Sequence, residues 1–154
     1  MTEGIIHIMI NFVKNNMKKV IIIYSPENTE IKDSSNRLAE RFDKDLYSVT
    51  VKNASGTEIP EIAASDIILF GSMDSEKEIQ TKDYKELARA LRGISLAGRK
   101  AALFSISSEE TIDYLRDMIK DTELAVPVKG LLFSKNGKPV KEKNIEKWID
   151  KICL

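Results

Sequence analysis

Lys18-Lys19-Val20-Ile21-Ile22-Ile23-Tyr24-Ser25-Pro26-Glu27-Asn28-Thr29-Glu30 decides the fold. Five consecutive apolar positions, Val20 to Tyr24, leave no polar face, as in a strand buried on both sides. Proline ends the run, and Ile31, Leu38, Ala39 and Phe42 then fall on one helical face. A buried strand feeding a helix is the opening of a βαβ unit.

The same beat recurs to the end of the chain. Ile67 to Phe70 and Ala101 to Phe104 are two further continuous apolar runs. Leu46 to Lys52 alternates instead, which suits an edge strand with one wetter face. Leu131-Leu132-Phe133 makes a last strand, with Asn136-Gly137 as a turn. Between the strands lie helical faces built on Tyr84, Leu87, Ala88 and Leu91, then on Ile112, Leu115 and Ile119. Ile145, Trp148, Ile149 and Ile152 form a closing one. Gly93 follows the first of these as a C-terminal cap. Five strands alternating with helices predict a doubly wound α/β domain. The alternating second strand lies at the edge, giving a parallel sheet of order 2-1-3-4-5 with helices on both faces. Ligands of such sheets bind beyond the carboxyl ends of the strands, so the loops after strands one, three and four are the ones to inspect.

Composition narrows the function. The chain has 154 residues, enough for one domain, with 24 Lys plus Arg balanced by 24 Asp plus Glu. No global basic field exists for nucleic acid. The single cysteine, Cys153, excludes an internal disulfide and a cysteine-rich metal site and suits a reducing, cytoplasmic setting. The only histidine is His7, which leaves a hydrolase without a base, and Gly-x-Ser-x-Gly is absent. No catalytic residue set and no metal-ligand spacing is read from the sequence. The apolar patch Ile5 to Val13 is too short to span a bilayer. Residues 1–17 are expected to be an appendage, either an upstream start or a short helix over an apolar surface, leaving 18–154 as the domain.

Four stretches together resemble the flavodoxins. They are Lys19 to Glu30 with Leu38-Ala39-Glu40, Ala64 to Ser72, Leu96 to Phe104, and the C-terminal third with Gly130-Leu131-Leu132, Gly137-Lys138-Pro139 and Trp148. The resemblance implies a flavodoxin-like fold, a noncovalent FMN and one-electron transfer. It also implies site residues. Ser25, Asn28 and Thr29 would hold the phosphate, while Ser72, Met73, Ser105 and Ile106 would line the flavin ring.

The residues of those loops depart from the family pattern. The phosphate loop is shorter, contains no glycine, and places Glu27 where the family has glycine. Pro26 removes a backbone donor. Two like unit charges ~5 Å apart at an effective dielectric of ~20 repel by roughly 3 kcal/mol, about two powers of ten in affinity. A self-sufficient helix start, with Ser25 as N-cap, Pro26 at N1 and Glu27 at N2, would leave no vacant anion site. Neither ring loop, 72–80 or 105–110, holds an aromatic residue. Ser107 with Glu110 reads as a capping box. The rim carries Glu27, Glu30, Asp74, Glu76, Glu78, Glu109 and Glu110 against Lys77 and Lys82, which suits a basic protein partner.

The sequence therefore predicts a flavodoxin-like protein that has lost tight FMN binding and serves as a binding or interaction module, with an atypical, weak FMN electron carrier as the alternative. A phosphorelay receiver shares the strand order. It would use Ser105 and Lys135, but Gly71-Ser72 ends strand three where the phosphorylatable Asp belongs. Lys129 to Lys151 holds seven lysines against Glu142, Glu146 and Asp150, a net +4 that leaves −4 for the rest of the chain. These lysines read as the solvated face of the last helix, or as an electrostatic docking face.

Overall fold

The structure, a computed structural model, describes residues 4–6, 17–75, 78–79, 82–106, 108–135 and 138–154. Residues 4–6 form a helical turn whose Ile5 and Ile6 are exposed. Residues 1–3 and 7–16 of the expected appendage, with His7, lie outside the described residues, as do Ser107 and the expected Asn136-Gly137 turn.

Strands β1 (Lys18–Ser25), β2 (Tyr47–Asn53), β3 (Ile67–Ser75), β5 (Lys100–Ile106) and β6 (Leu131–Leu132) pair in parallel in the order β2-β1-β3-β5-β6. This is the predicted 2-1-3-4-5 arrangement. The two-residue β4 (Glu78–Ile79) pairs antiparallel with the end of β3, and β7 (Ser134–Lys135) pairs antiparallel with β8 (Lys138–Pro139). The helices are α1 (Thr29–Glu40), α2 (Ile59–Ala63), α3 (Lys85–Leu91), α4 (Glu109–Ile119) and α5 (Glu142–Cys153).

The two faces of the sheet are two apolar layers. Val20, Ile22, Leu69 and Phe104 pack with Ile31 and Leu38 of α1 and with Trp148 and Ile149 of α5. Ile21, Ile23, Phe70 and Leu103 pack with Leu87 of α3 and with Ile112 and Leu115 of α4. The order reverses at β1, because the chain steps to one side for β2 and to the other for β3 and its successors. Crossovers of one hand then carry helices to opposite faces. Edge strand β2 alternates in burial, as its sequence predicts. Gly93 adopts φ +77° just past Arg92, the C-cap of α3, a conformation that a side chain disfavours.

Two helix starts differ from expectation. Ser25 does not cap α1. It is the last residue of β1, paired with Ser72 and fully buried, three residues before the N-cap. Asn28 caps instead, its Oδ1 accepting from the Glu30 N–H at 2.8 Å, and Pro26 and Glu27 precede the helix rather than beginning it. The cap of α4 is Ser108 rather than the Ser107 of the expected capping box. Its Oγ accepts from the Thr111 N–H at 3.1 Å and from the Thr111 hydroxyl at 3.0 Å.

Candidate functional site

The carboxyl ends of β1, β3 and β5 form the edge that the switch point marks out. Parallel register places Ser25 beside Ser72, and Ser72 beside Ser105. The pleat alternates, so all three hydroxyls lie on the face toward α3 and α4, where each side chain is fully buried. The Ser105 Oγ has no hydrogen-bond partner among the described residues. Met73 and Ile106 sit side by side one residue further on, toward the other face, Met73 half-buried and Ile106 buried. Asn28 and Thr29 stand exposed at the start of α1. The sequence-predicted residues thus gather at one sheet edge, in two layers. The serines point into the protein, and Met73 and Ile106 point toward the α1 side.

The loop between β1 and α1 is organised by a carboxylate. The buried Tyr24 hydroxyl donates to Glu27, with its oxygen 3.0 Å from Oε2 and 3.2 Å from Oε1. Lys32 Nζ lies 3.7 Å from Glu27 Oε1. The Tyr24 phenol is pushed up to about 12, first by its burial and then by the adjacent Glu27 carboxylate. Negative charge from the chain itself therefore stands where the positive end of α1 begins. The Ser25–Pro26 peptide is cis.

Beside this loop lies a cleft of about 350 Å³ lined by residues of α1, by Ile106 at the end of β5, and by Phe133, Ser134 and Pro139. Ile106 and Phe133 line its apolar side. Glu30, Asp33 and Arg37 line its polar side. The Arg37 guanidinium lies 5.5 Å over the Phe133 ring and is paired with Glu142 of α5, so it is already engaged. Glu30 and Asp33 form no ion pair with a described cation. Glu109 and Glu110 are exposed at the first turn of α4, on the same edge. The side chains of Asp74, Glu76 and Glu78 lie outside the described residues.

Two supports of this edge were not anticipated. Tyr84, fully buried, places its hydroxyl 3.0 Å from the Ile23 carbonyl and 2.9 Å from the Gly71 carbonyl, and accepts from the Gly71 N–H at 3.2 Å. Burial holds its phenol well above the ordinary range. Gly71 lies under the Phe104 ring, where a Cβ would come within 2.1 Å of ring carbons. The only hint in the sequence was Tyr84 itself, a polar-tipped residue opening an apolar helical face.

Among the described residues no group of His, Cys, Asp and Glu is placed to hold a metal ion, and no helix is long and apolar enough to cross a membrane.

No protein-family model matches the chain, and no curated protein matches its sequence. Solved structures do match. Oxidised flavodoxin 1 of Bacillus cereus superposes with a TM-score of 0.70 at 18% identity, over 86% of this chain and 93% of that one. A short-chain flavodoxin associated with a non-canonical PDU bacterial microcompartment gives 0.74 at 11% identity, over 89% and 97%. A Fusobacterium nucleatum flavodoxin bound to flavin mononucleotide gives 0.62 at 16%, over 89% and 98%. At such identities the likeness establishes the architecture, and the chain is a flavodoxin-like α/β protein.

Proposed function

We propose that this protein is a flavodoxin-like binding module that does not hold FMN tightly. The observation that carries the reading is Glu27. Its carboxylate occupies the phosphate loop, held by the Tyr24 hydroxyl and by Lys32. An arriving phosphate of roughly −1.5 to −2 charge would meet Glu27 first, and Glu30 and Asp33 beside it.

The remaining residues fit the cofactor no better. The Asn28 side chain already accepts from the Glu30 N–H, and the hydroxyls of Ser25, Ser72 and Ser105 are buried beneath the sheet edge. Met73 and Ile106 would offer a flavin ring only aliphatic and thioether contact. The exposed carboxylates Glu27, Glu30, Glu109 and Glu110 give the rim a negative face suited to a basic protein partner.

The test is the visible spectrum of the purified protein, followed by an FMN titration read through flavin fluorescence. A colourless protein with no saturable response is expected. A yellow protein, or saturable micromolar binding, would overturn the reading in favour of an FMN electron carrier.

A further inference from the structure

Beyond β6, the last strand of the sheet, a cleft of about 610 Å³ opens between the β8 segment and the first half of α5. Four lysines line it: Lys138, Lys141, Lys143 and Lys147. All four are exposed, and none forms an ion pair with a described carboxylate. Leu132, Pro139 and Val140 supply apolar surface between them.

The charge here is not the ordinary mixed surface of a helix. Glu142 and Glu146 would neutralise the lysines if they faced them. Both are instead committed across the adjacent helix, Glu142 to Arg37 and Arg41, and Glu146 to Arg41 at 3.2 Å. Over its first half, Glu142 to Lys147, the helix is therefore sorted, carboxylates toward α1 and lysines toward the cleft. Lys143 and Lys147 stand four residues apart, a like-charge spacing that mildly destabilises a helix. The start of α5 adds to the field. Its N-cap, Lys141, brings a cation and makes no side-chain cap hydrogen bond, and the acidic residue of the first turn, Glu142, is turned to Arg37 and Arg41 of the neighbouring segment.

We infer that this cleft is a docking site for an acidic segment of a partner protein, one presenting carboxylates on either side of an aliphatic side chain. The carboxylates complement the four lysines, and the aliphatic group covers Leu132, Pro139 and Val140. Nucleic acid is the poorer fit, because base recognition in single strands uses an exposed aromatic platform. Trp148, the aromatic residue of α5, is buried, with its Nε1 donating to the Lys129 carbonyl at 2.8 Å. This inference rests on the interaction-module reading and names a second face and partner class for it.

The probe is a short fluorescein-labelled peptide with a central leucine flanked by glutamates, followed by fluorescence anisotropy on the full chain. Saturable binding is expected, weakening as salt shortens the Debye length toward ~8–10 Å. Lys143→Glu/Lys147→Glu should weaken it at least about tenfold, since two attractions become repulsions. Lys18→Glu/Lys85→Glu makes the same change in net charge away from the cleft and should shift it by no more than about twofold. Circular dichroism should show all variants folded, because the four substituted lysines are exposed.

Absence of saturable binding at low salt overturns the proposal. So does equal weakening by both double variants, which would assign the effect to overall charge. Tighter, cleft-dependent binding of a single-stranded oligonucleotide of equal charge would overturn the partner class. Oligomers dissolved by Lys143→Glu/Lys147→Glu in sedimentation would make the occupant a second copy of this chain and overturn it too. An FMN titration on the same samples separates the two readings: flavin binding with peptide docking intact removes the lost-cofactor reading and leaves this one standing.

Discussion

The Tyr24 hydroxyl donates to the Glu27 carboxylate at 3.0 Å, joining the end of a core strand to the loop that precedes α1. Tyr24 is anchored by its ring in the apolar layer beneath α1. It therefore fixes a negative charge just before the N-terminus of α1, the end of a helix whose backbone N–H groups favour an anion. Lys32, one turn into the helix, balances that charge from within the chain.

On the proposed reading, removing the charge should make this loop more receptive to a phosphate. Glu27→Gln keeps the shape of the side chain and frees Lys32 to face a phosphate. The Coulomb estimate for a carboxylate beside a phosphate is roughly 3 kcal/mol at ~5 Å. Glu27 is more than half exposed, so solvent screens much of this. A gain of about tenfold in FMN affinity is expected. Fluorescence titration carried to FMN concentrations high enough to register weak binding checks it, and a variant that binds FMN no better than the native protein would mean that Glu27 is not the obstacle.

The same contact makes a pH prediction. The folded Tyr24 phenol titrates at about 12 against an ordinary 10.0. A raised folded value means that its contribution to stability is whole below pH 10 and is lost as pH rises from 10 toward 12. In Glu27→Gln the phenol should titrate lower than in the native protein but still above 10.0, because burial is the larger cause. Phenolate absorbance against pH distinguishes the two proteins. A native Tyr24 ionising at 10.0 would refute the assignment.

The fold was legible where physics acts over short stretches. Runs such as Ile21 to Tyr24 and Ile67 to Phe70, short, rich in β-branched residues and bounded by polar or turn residues, suit a doubly buried strand, and Val49 and Val51 announce an edge by alternating with polar neighbours. Helix starts were less legible, because capping depends on where the preceding strand stops. Ser25 and Asn28 are both good caps by type, and only the pairing of Ser25 with Ser72 excludes the first. The site was legible as a set of loops but not as an arrangement. Nothing local says that Glu27 will bond Tyr24 rather than point to solvent, or that Arg37 and Arg41 will claim Glu142 from about a hundred residues away.

Gly71 should tolerate no side chain. A Cβ would lie 2.1 Å from Phe104 ring carbons, and the Phe104 ring is fully buried against Phe133, 5.9 Å between centroids. Gly71→Ala should cost about 1–3 kcal/mol through overpacking, a loss of several degrees in Tm. Gly71→Ala/Phe104→Leu should recover part of it by vacating the ring's volume. A double variant no more stable than Gly71→Ala alone would locate the strain elsewhere.

Tyr84 should matter through its oxygen. Its hydroxyl bonds backbone groups of Ile23 and Gly71 in a fully buried site, so Tyr84→Phe removes the partner without opening the ring cavity. The cost should be about 1–3 kcal/mol, the price of an unsatisfied buried group. Urea unfolding measures it. A variant within ~0.5 kcal/mol of the native protein would show that the sheet backbone satisfies those groups without the phenol.

The contact of α5 with α1 should report itself in the titration of Glu142. Its carboxyl is held below the ordinary 4.5, chiefly by the hydrogen bond from Arg37 and further by the charges of Arg37 and Arg41. A lowered folded value means that its contribution is present above pH 4.5 and disappears as pH falls through the folded value. Arg37→Ala removes the largest cause and also uncovers the Phe133 ring, while Arg41→Ala removes a lesser one. Carboxyl carbon shifts followed by NMR should therefore show the Glu142 midpoint rising more in Arg37→Ala than in Arg41→Ala. The reverse order would mean that Arg41, already shared with Glu146, is the principal partner and that the α1–α5 contact is centred one turn further along the helix.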